Sequence, residues 1–295
     1  MEEARQYSVV DMSDEELKRR QEVTFLQAEG ISPLPELTSG TDVTSRFRSF
    51  AYDVLIDAFG YSKRQSTSSR RPTNNTKFVW KAYFSRFSDD IPIAPHQFNS
   101  FIKEYISSGD KLLDLLQFCA RYEILSSDQF SIITNMLRGE LIGYQFVGKY
   151  GERTVTLMPI SDEAEADANQ ADYSALESHP SAQEHFRQAV EEIKLGHFRG
   201  SVTESINGVE SVIKALSGKA TVTLGDGLKH LDKQSPLNKT LKAGLEKIYG
   251  WTNSPNGMRH ALSDDAVQVS EAEARFMLSA CLAFAAWLKR SFPEE

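Results

Sequence analysis

The chain has 295 residues, long enough for two domains of ordinary size, and its 40% hydrophobic and 25% charged content is that of a soluble globular protein with real cores. Its 33 basic and 41 acidic side chains give a net charge of −8, which argues against binding nucleic acid through one large basic surface. The acidity is local, however: residues 1–44 hold 4 basic against 10 acidic groups and residues 160–180 hold 0 against 6, while residues 45–159 hold 15 against 11 and residues 181–295 hold 14 of each.

Two cysteines, Cys119 and Cys281, are too few for a disulfide framework or a four-thiolate zinc site. Each lies in an apolar run, Leu115-Leu116-Gln117-Phe118-Cys119 and Leu278-Ser279-Ala280-Cys281-Leu282, and is expected to be a small buried hydrophobe. Met1-Glu2-Glu3-Ala4-Arg5 lacks the basic region and apolar core of a signal peptide. The longest weakly polar run, Phe276 to Leu288, is shorter than the ~20 residues of a membrane span. A cytoplasmic location without membrane contact is the expectation.

In chain order, residues 1–44 form a charged lead-in with a helix start at Ser13-Asp14-Glu15-Glu16 and a break at Gly30 to Pro35. From Thr44 an apolar stripe through Phe47, Phe50, Val54, Leu55 and Ile56 predicts a helix closed by Gly60. The basic stretch Lys63–Lys77 reads as a solvated loop. Helices are predicted over Phe78–Phe87, Pro95–Ser107, Lys111–Tyr122 and Ser127–Arg138. Tyr144–Val147 and Thr154–Leu157, separated by a turn at Gly151, predict a hairpin that ends a first domain at residue 159. Residues 160–180 are an acidic linker or an exposed bridging helix.

Residues 181–295 then read as a helix bundle. Phe186, Val190 and Ile193 share one helical face, and Ile206, Val209, Ile213 and Leu216 share another that ends at Gly218. Short helices follow from Thr223 to Leu231 and from Leu237 to Tyr249, the latter stopped by Gly250. A last helix, Glu271 to Arg290, places Phe276, Ala280, Phe284 and Trp287 on one face, with Met277, Cys281 and Leu288 beside them. The fold class is therefore mainly α: two helical domains, the first ending in a small β-hairpin.

The six histidines form no His-x-x-x-His pair and there is no Cys-x-x-Cys, so neither a metal nor a cofactor is expected. Gly225-x-Gly227 lacks the preceding strand and the lysine of a nucleotide loop. One polar segment, Tyr249 to Leu262, delivers Arg259 and His260 side by side. A guanidinium matches phosphate oxygens with two parallel donors, and an imidazole exchanges protons near neutrality. Together they suffice for metal-independent RNA cleavage, in which a base activates the 2′-hydroxyl, the arginine stabilises the phosphorane and an acid protonates the leaving oxygen. The alternative is structural: Arg259 buried against Glu204 or Glu210, with His260 capping a helix. Glu210, adjoining the apolar face of Val209 and Ile213, is the carboxylate expected to be more buried.

The run Gly200 to Leu216, followed by Thr223-Leu224-Gly225-Asp226-Gly227-Leu228, Tyr249-Gly250-Trp251-Thr252, Gly257-Met258-Arg259-His260-Ala261-Leu262 and Ala274-Arg275-Phe276-Met277-Leu278, resembles the carboxy-terminal helical domain of bacterial abortive-infection proteins. Trp80-Lys81-Ala82-Tyr83-Phe84, Asp90-Ile91-Pro92, Asn135 through Val147 and Pro159 through Glu165 resemble an AbiJ-type amino-terminal domain. The resemblance covers roughly residues 45–292. It implies a HEPN-like bundle of the kind found in the ribonucleases of phage defence, a homodimer formed through that bundle, RNA as substrate, and a phage or host protein as trigger. Active members of that superfamily carry an arginine, a polar residue directly after it, and a histidine with four to six residues between it and the arginine. Arg259 and His260 fill the first two positions, whereas Asp264, Asp265 and Ala266 stand where the later histidine belongs. Either His260 takes over the proton transfer or the domain is a non-catalytic binding or sensor module.

Overall fold

Capping side chains set the helix starts. In the computed structural model, which describes residues 36–38, 40–61, 72–219, 223–253 and 268–292, Thr44 accepts the Phe47 amide and opens α1 (Ser45–Ala58), with Gly60 beyond its end at φ +74°. Thr73 opens α2 (Asn74–Ala82) in the same way. Helices α3 (Pro95–Tyr105) and α4 (Gly109–Arg121) follow, then α5 (Ser127–Gly139), which starts in a reciprocal box between Ser126 and Gln129. Such caps contribute about 1 kcal/mol each. Strands β1 (Tyr144–Val147) and β2 (Thr156–Pro159) come next. The chain continues through α6 (Glu163–Ala175), α7 (Pro180–Lys194), α8 (Phe198–Ser217), α9 (Leu224–Gln234), α10 (Lys239–Asn253) and α11 (Glu271–Ser291). Among the described residues the protein is mainly helical with one small antiparallel hairpin, the expected mainly α class. The helix start expected at Ser13 and the Lys63–Arg71 part of the basic loop lie outside the described residues.

The chain divides into the units Met1–Leu37 and Thr38–Glu295, and all the elements above belong to the second. Thr38, its first residue, is tied to the rest of the unit by two hydrogen bonds. Thr38 donates its amide to the Leu141 carbonyl at 2.8 Å and accepts the Gly143 amide at 3.0 Å. A Cβ on Gly143 would collide with the Thr38 carbonyl, and one on Gly109 with that of Thr41, so these glycines let the strap 38–44 lie close.

Two apolar cores are built on either side of the hairpin. The first gathers Phe47, Leu55, Trp80, Phe98, Ile102 and Leu115; within it Tyr61 stacks on Phe98 with centroids 3.9 Å apart. The second gathers Phe186, Val190, Ile206, Val209, Ile213, Leu278 and Leu282. The hairpin register pairs Tyr144 with Pro159, Gln145 with Met158, Phe146 with Leu157 and Val147 with Thr156. Tyr144, Phe146 and Leu157 join the first core, while Val147 and Met158 join the second. Every strand residue is buried. The hairpin is a wall shared by both cores rather than an appendage of the first.

Four expectations are corrected. Residues 163–175 are neither linker nor exposed bridge: Ala166, Asn169 and Tyr173 are buried, and α6 is held to α11 by Ser279 donating to Glu165 at 2.8 Å and by Arg290 pairing with Asp172 at 2.8 Å. Helix α2 stops at Ala82 instead of Phe87, because Ser85 takes a left-handed φ of +54° that no helix continues through; Phe87 is left 82% exposed. Gly250 does not end α10, which runs on to Asn253. An interior glycine costs a helix only about 1 kcal/mol relative to alanine. In α11 the buried face is Ala274, Met277, Leu278, Cys281, Leu282, Ala285 and Leu288, and Phe276 is 63% exposed. The aromatic stripe misleads because small apolar residues surround it on most of the helix. Both cysteines are buried as expected, and burial pushes the Cys281 thiol up to about 12.

Candidate functional site

In the second core, α7 and α8 are joined by the short turn Leu195–His197 and pack so closely that a Cβ on Gly208 would stand 2.7 Å from the Phe186 ring. This contact sets His185 of α7 against Glu204 of α8, with Nδ1 2.7 Å from Oε2. The imidazole is 34% exposed and the carboxylate 24%. A carboxylate on Nδ1 fixes the orientation of the ring. Glu204, considered above as a partner for Arg259, is thus engaged by an imidazole. Glu210 is the more buried of the two carboxylates, at 14%, and lies 3.7 Å from Lys214 one turn on. Arg259, His260 and Asp264 lie outside the described residues. The chain enters their segment from α10 at Asn253 and leaves it at Glu271, where Ser270 and Glu273 cap α11 reciprocally.

A second constellation, which the sequence reading missed, lies where the two cores meet. Gln117 of α4 is 1% exposed. Its carbonyl oxygen accepts from Thr156 Oγ1 at 2.9 Å, the Leu157 amide at 2.7 Å and Lys194 Nζ at 3.2 Å, while its amide donates to Glu191 Oε1 at 2.9 Å. The same Glu191 oxygen lies 3.4 Å from Arg121 and 3.6 Å from Lys194. Arg121 in turn donates to the Val155 carbonyl at 2.7 Å. One glutamine therefore ties α4, the hairpin and α7 together. The signal was present as a polar residue inside Leu115-Leu116-Gln117-Phe118-Cys119, a run read only for its apolar members.

Burial lowers the Lys194 pKa by disfavouring its ammonium. Burial works to raise Glu191, but Lys194, the Gln117 amide and Arg121 outweigh it and hold the carboxyl below its ordinary value of 4.5. Two predictions arise here. Gln117→Leu keeps the bulk yet leaves the Thr156 hydroxyl, the Leu157 amide and Glu191 short of partners; an unfolding titration should show a loss of about 2–4 kcal/mol. Because the folded pKa of Glu191 is depressed, its ionised form contributes stability in full above about pH 4.5, and that contribution is lost as pH falls through the folded value. Urea unfolding from neutral to acid pH should show stability dropping below that point, and the drop should be shallower in Glu191→Gln. An equal slope in both proteins would contradict the assignment.

Among the described residues no three His, Cys, Asp or Glu side chains are grouped to hold a metal ion, and no helix is long and apolar enough to cross a membrane. Comparison with protein-family models, with curated proteins and with solved structures found no match.

Proposed function

We propose that this chain is a bacterial abortive-infection protein, an AbiJ-like amino-terminal part joined to a HEPN-like bundle that cleaves RNA conditionally and without a metal. The observation that carries this reading is the segment bearing Arg259, His260 and Asp264, which connects two helices of the second core and combines a phosphate-matching cation with a proton carrier. In the reaction the ribose 2′-oxygen gives up its proton to a base and attacks phosphorus, Arg259 neutralises the phosphorane oxygens, and the 5′-oxygen departs with a proton from an acid. Two proton transfers need two carriers, and a homodimer that brings two copies of His260 together supplies both. A cytoplasmic setting and a phage or host protein trigger complete the proposal.

A second reading, a non-catalytic module that pairs with a copy or a partner, draws on a different observation. Ile248, Phe276 and Met277 form a shallow apolar groove beside α10 and α11, with Phe276 63% and Leu241 47% exposed. Overexpression in a bacterial host separates the two readings. Growth arrest relieved by His260→Ala, at equal protein level, supports catalysis. Arrest that persists in His260→Ala and is relieved by Phe276→Asp supports the module.

A further inference from the structure

Helix α2 buries Thr76, Val79 and Trp80 and leaves Lys77, Phe78 and Lys81 exposed. The exposed Phe78 ring has aromatic company across the gap to α4. It stacks on Phe118 with centroids 5.9 Å and planes 25° apart, and meets Tyr122, just beyond the end of α4, at 5.3 Å. Phe118 and Tyr122 are themselves 4.6 Å apart. Phe118 is half-buried and anchored to Tyr83 and the first core, whereas Phe78 and Tyr122 are each 41% exposed. The three rings make a small platform, fixed underneath and open to water on top. Lys77 and Lys81 flank Phe78, about 6 Å apart along the helix axis, and neither is in an ion pair among the described residues. Both belong to a basic run: residues 58–88 hold seven lysines and arginines and no acidic residue. The carboxylates closest in sequence to Phe118 and Tyr122 are turned elsewhere. Asp114 accepts the Tyr83 hydroxyl at 2.7 Å, and Glu123 is directed at the hairpin turn, where a Cβ on Gly151 would collide with it.

We infer that this platform binds single-stranded RNA, with bases stacked on Phe78 and Tyr122 and phosphates held by Lys77 and Lys81. Rings and cations decide the occupant together. Rings alone would suit any apolar partner, but a stable protein interface buries about 1,200–2,000 Å², far more than two half-exposed rings offer. Lysines alone would suit any polyanion, but a duplex keeps its base faces inside its own stack and leaves the rings unanswered. An unpaired strand answers both. Every base has a π-face, so the contact tolerates any sequence, and the phosphates meet a stretch of chain with no carboxylate to repel them. The platform stands on the first core, apart from the segment that carries Arg259 and His260, and so adds a contact to the strand that the proposed chemistry does not itself provide. The choice of RNA over DNA rests on the ribonuclease reading; the stacking surface does not.

Fluorescence anisotropy of a labelled, unstructured RNA of about 12 nucleotides tests this, titrated with the full chain carrying Arg259→Ala/His260→Ala so that the strand stays intact. In EDTA and about 100 mM salt the Kd should lie below about 100 μM. Adding Phe78→Ala or Tyr122→Ala should weaken binding at least about fivefold, the loss of one stacked base. Lys77→Gln/Lys81→Gln changes only exposed side chains and should leave thermal unfolding unchanged. It should weaken binding and make the slope of log K against log salt shallower by about 1.4, the value for two phosphate contacts on a single strand. A duplex of the same length should bind more than about fivefold more weakly than the strand. The inference is overturned if the RNA does not bind at that level, if the duplex binds within about fivefold of it, if a DNA strand of the same sequence binds more tightly, or if the ring and lysine variants bind like their parent. Anisotropy does not depend on cleavage, so an inactive protein that binds through these residues would contradict only the ribonuclease reading.

Discussion

Phe186→Ala should remove about 3–5 kcal/mol from the stability of the protein, the range for deleting a fully buried aromatic side chain. Phe186 is 0% exposed and sits at the closest approach of α7 to α8, its ring against the Cα of Gly208. No neighbour can collapse into the space, because Val190, Ile206 and Val209 are themselves fully buried in the same core. The reciprocal change tests the same contact from the other side. Gly208→Ala would raise helix propensity by about 1 kcal/mol, but its methyl would meet the Phe186 ring at 2.7 Å, and overpacking of that kind costs about 1–3 kcal/mol. A net loss in Gly208→Ala, recovered in the double variant Gly208→Ala/Phe186→Leu, is expected in urea titrations. Additive losses would show that the two positions do not share one contact.

The second large effect concerns the proposed chemistry. His260→Ala should lower the rate of RNA cleavage by about 10²–10⁴, the usual contribution of a positioned acid or base. Arg259→Ala should lower it by about 10²–10³, the cost of removing one charge-stabilising donor. Arg259→Lys separates charge from geometry: lysine keeps the positive charge but loses the two parallel donors that match a phosphate. It should therefore recover only part of the alanine loss, read from single-turnover rates on a short RNA. Full recovery would mean that Arg259 acts only as a diffuse charge. If all three variants cleave like the wild type, the site lies elsewhere, and the His185–Glu204 pair becomes the next group to substitute.

Local signals were the legible ones. Thr44 announces a helix start, and Gly60 and Gly218 announce ends; each adopts the conformation its chemistry suggests. The faces of Phe186, Val190 and Ile193 and of Ile206, Val209 and Ile213 were also readable, because helical period and burial agree there. Features set by tertiary packing were hidden. The acidic segment 163–175 looks solvated, yet Tyr173 is buried and donates to the Thr154 carbonyl at 2.9 Å, while Arg138 and Arg290 meet Asp167 and Asp172. Gly250 carries a stop signal that the helix overrides at small cost. Gln117 is camouflaged by the leucines around it, and its partners come from a hairpin and a helix 39 and 74 positions away. Of the candidate site, the sequence placed Glu204 and Glu210 on one helix but had no means of pairing Glu204 with His185, since that contact depends on the missing side chain at Gly208.

The most direct test of the central claim is cleavage of total bacterial RNA by the purified full-length protein in EDTA, with the new ends identified. The account predicts RNA fragments with 2′,3′-cyclic phosphate and 5′-hydroxyl ends, absent when Arg259→Ala/His260→Ala replaces the wild type. Cleavage undiminished in that double variant, or no cleavage by the protein taken from cells in growth arrest, would contradict it.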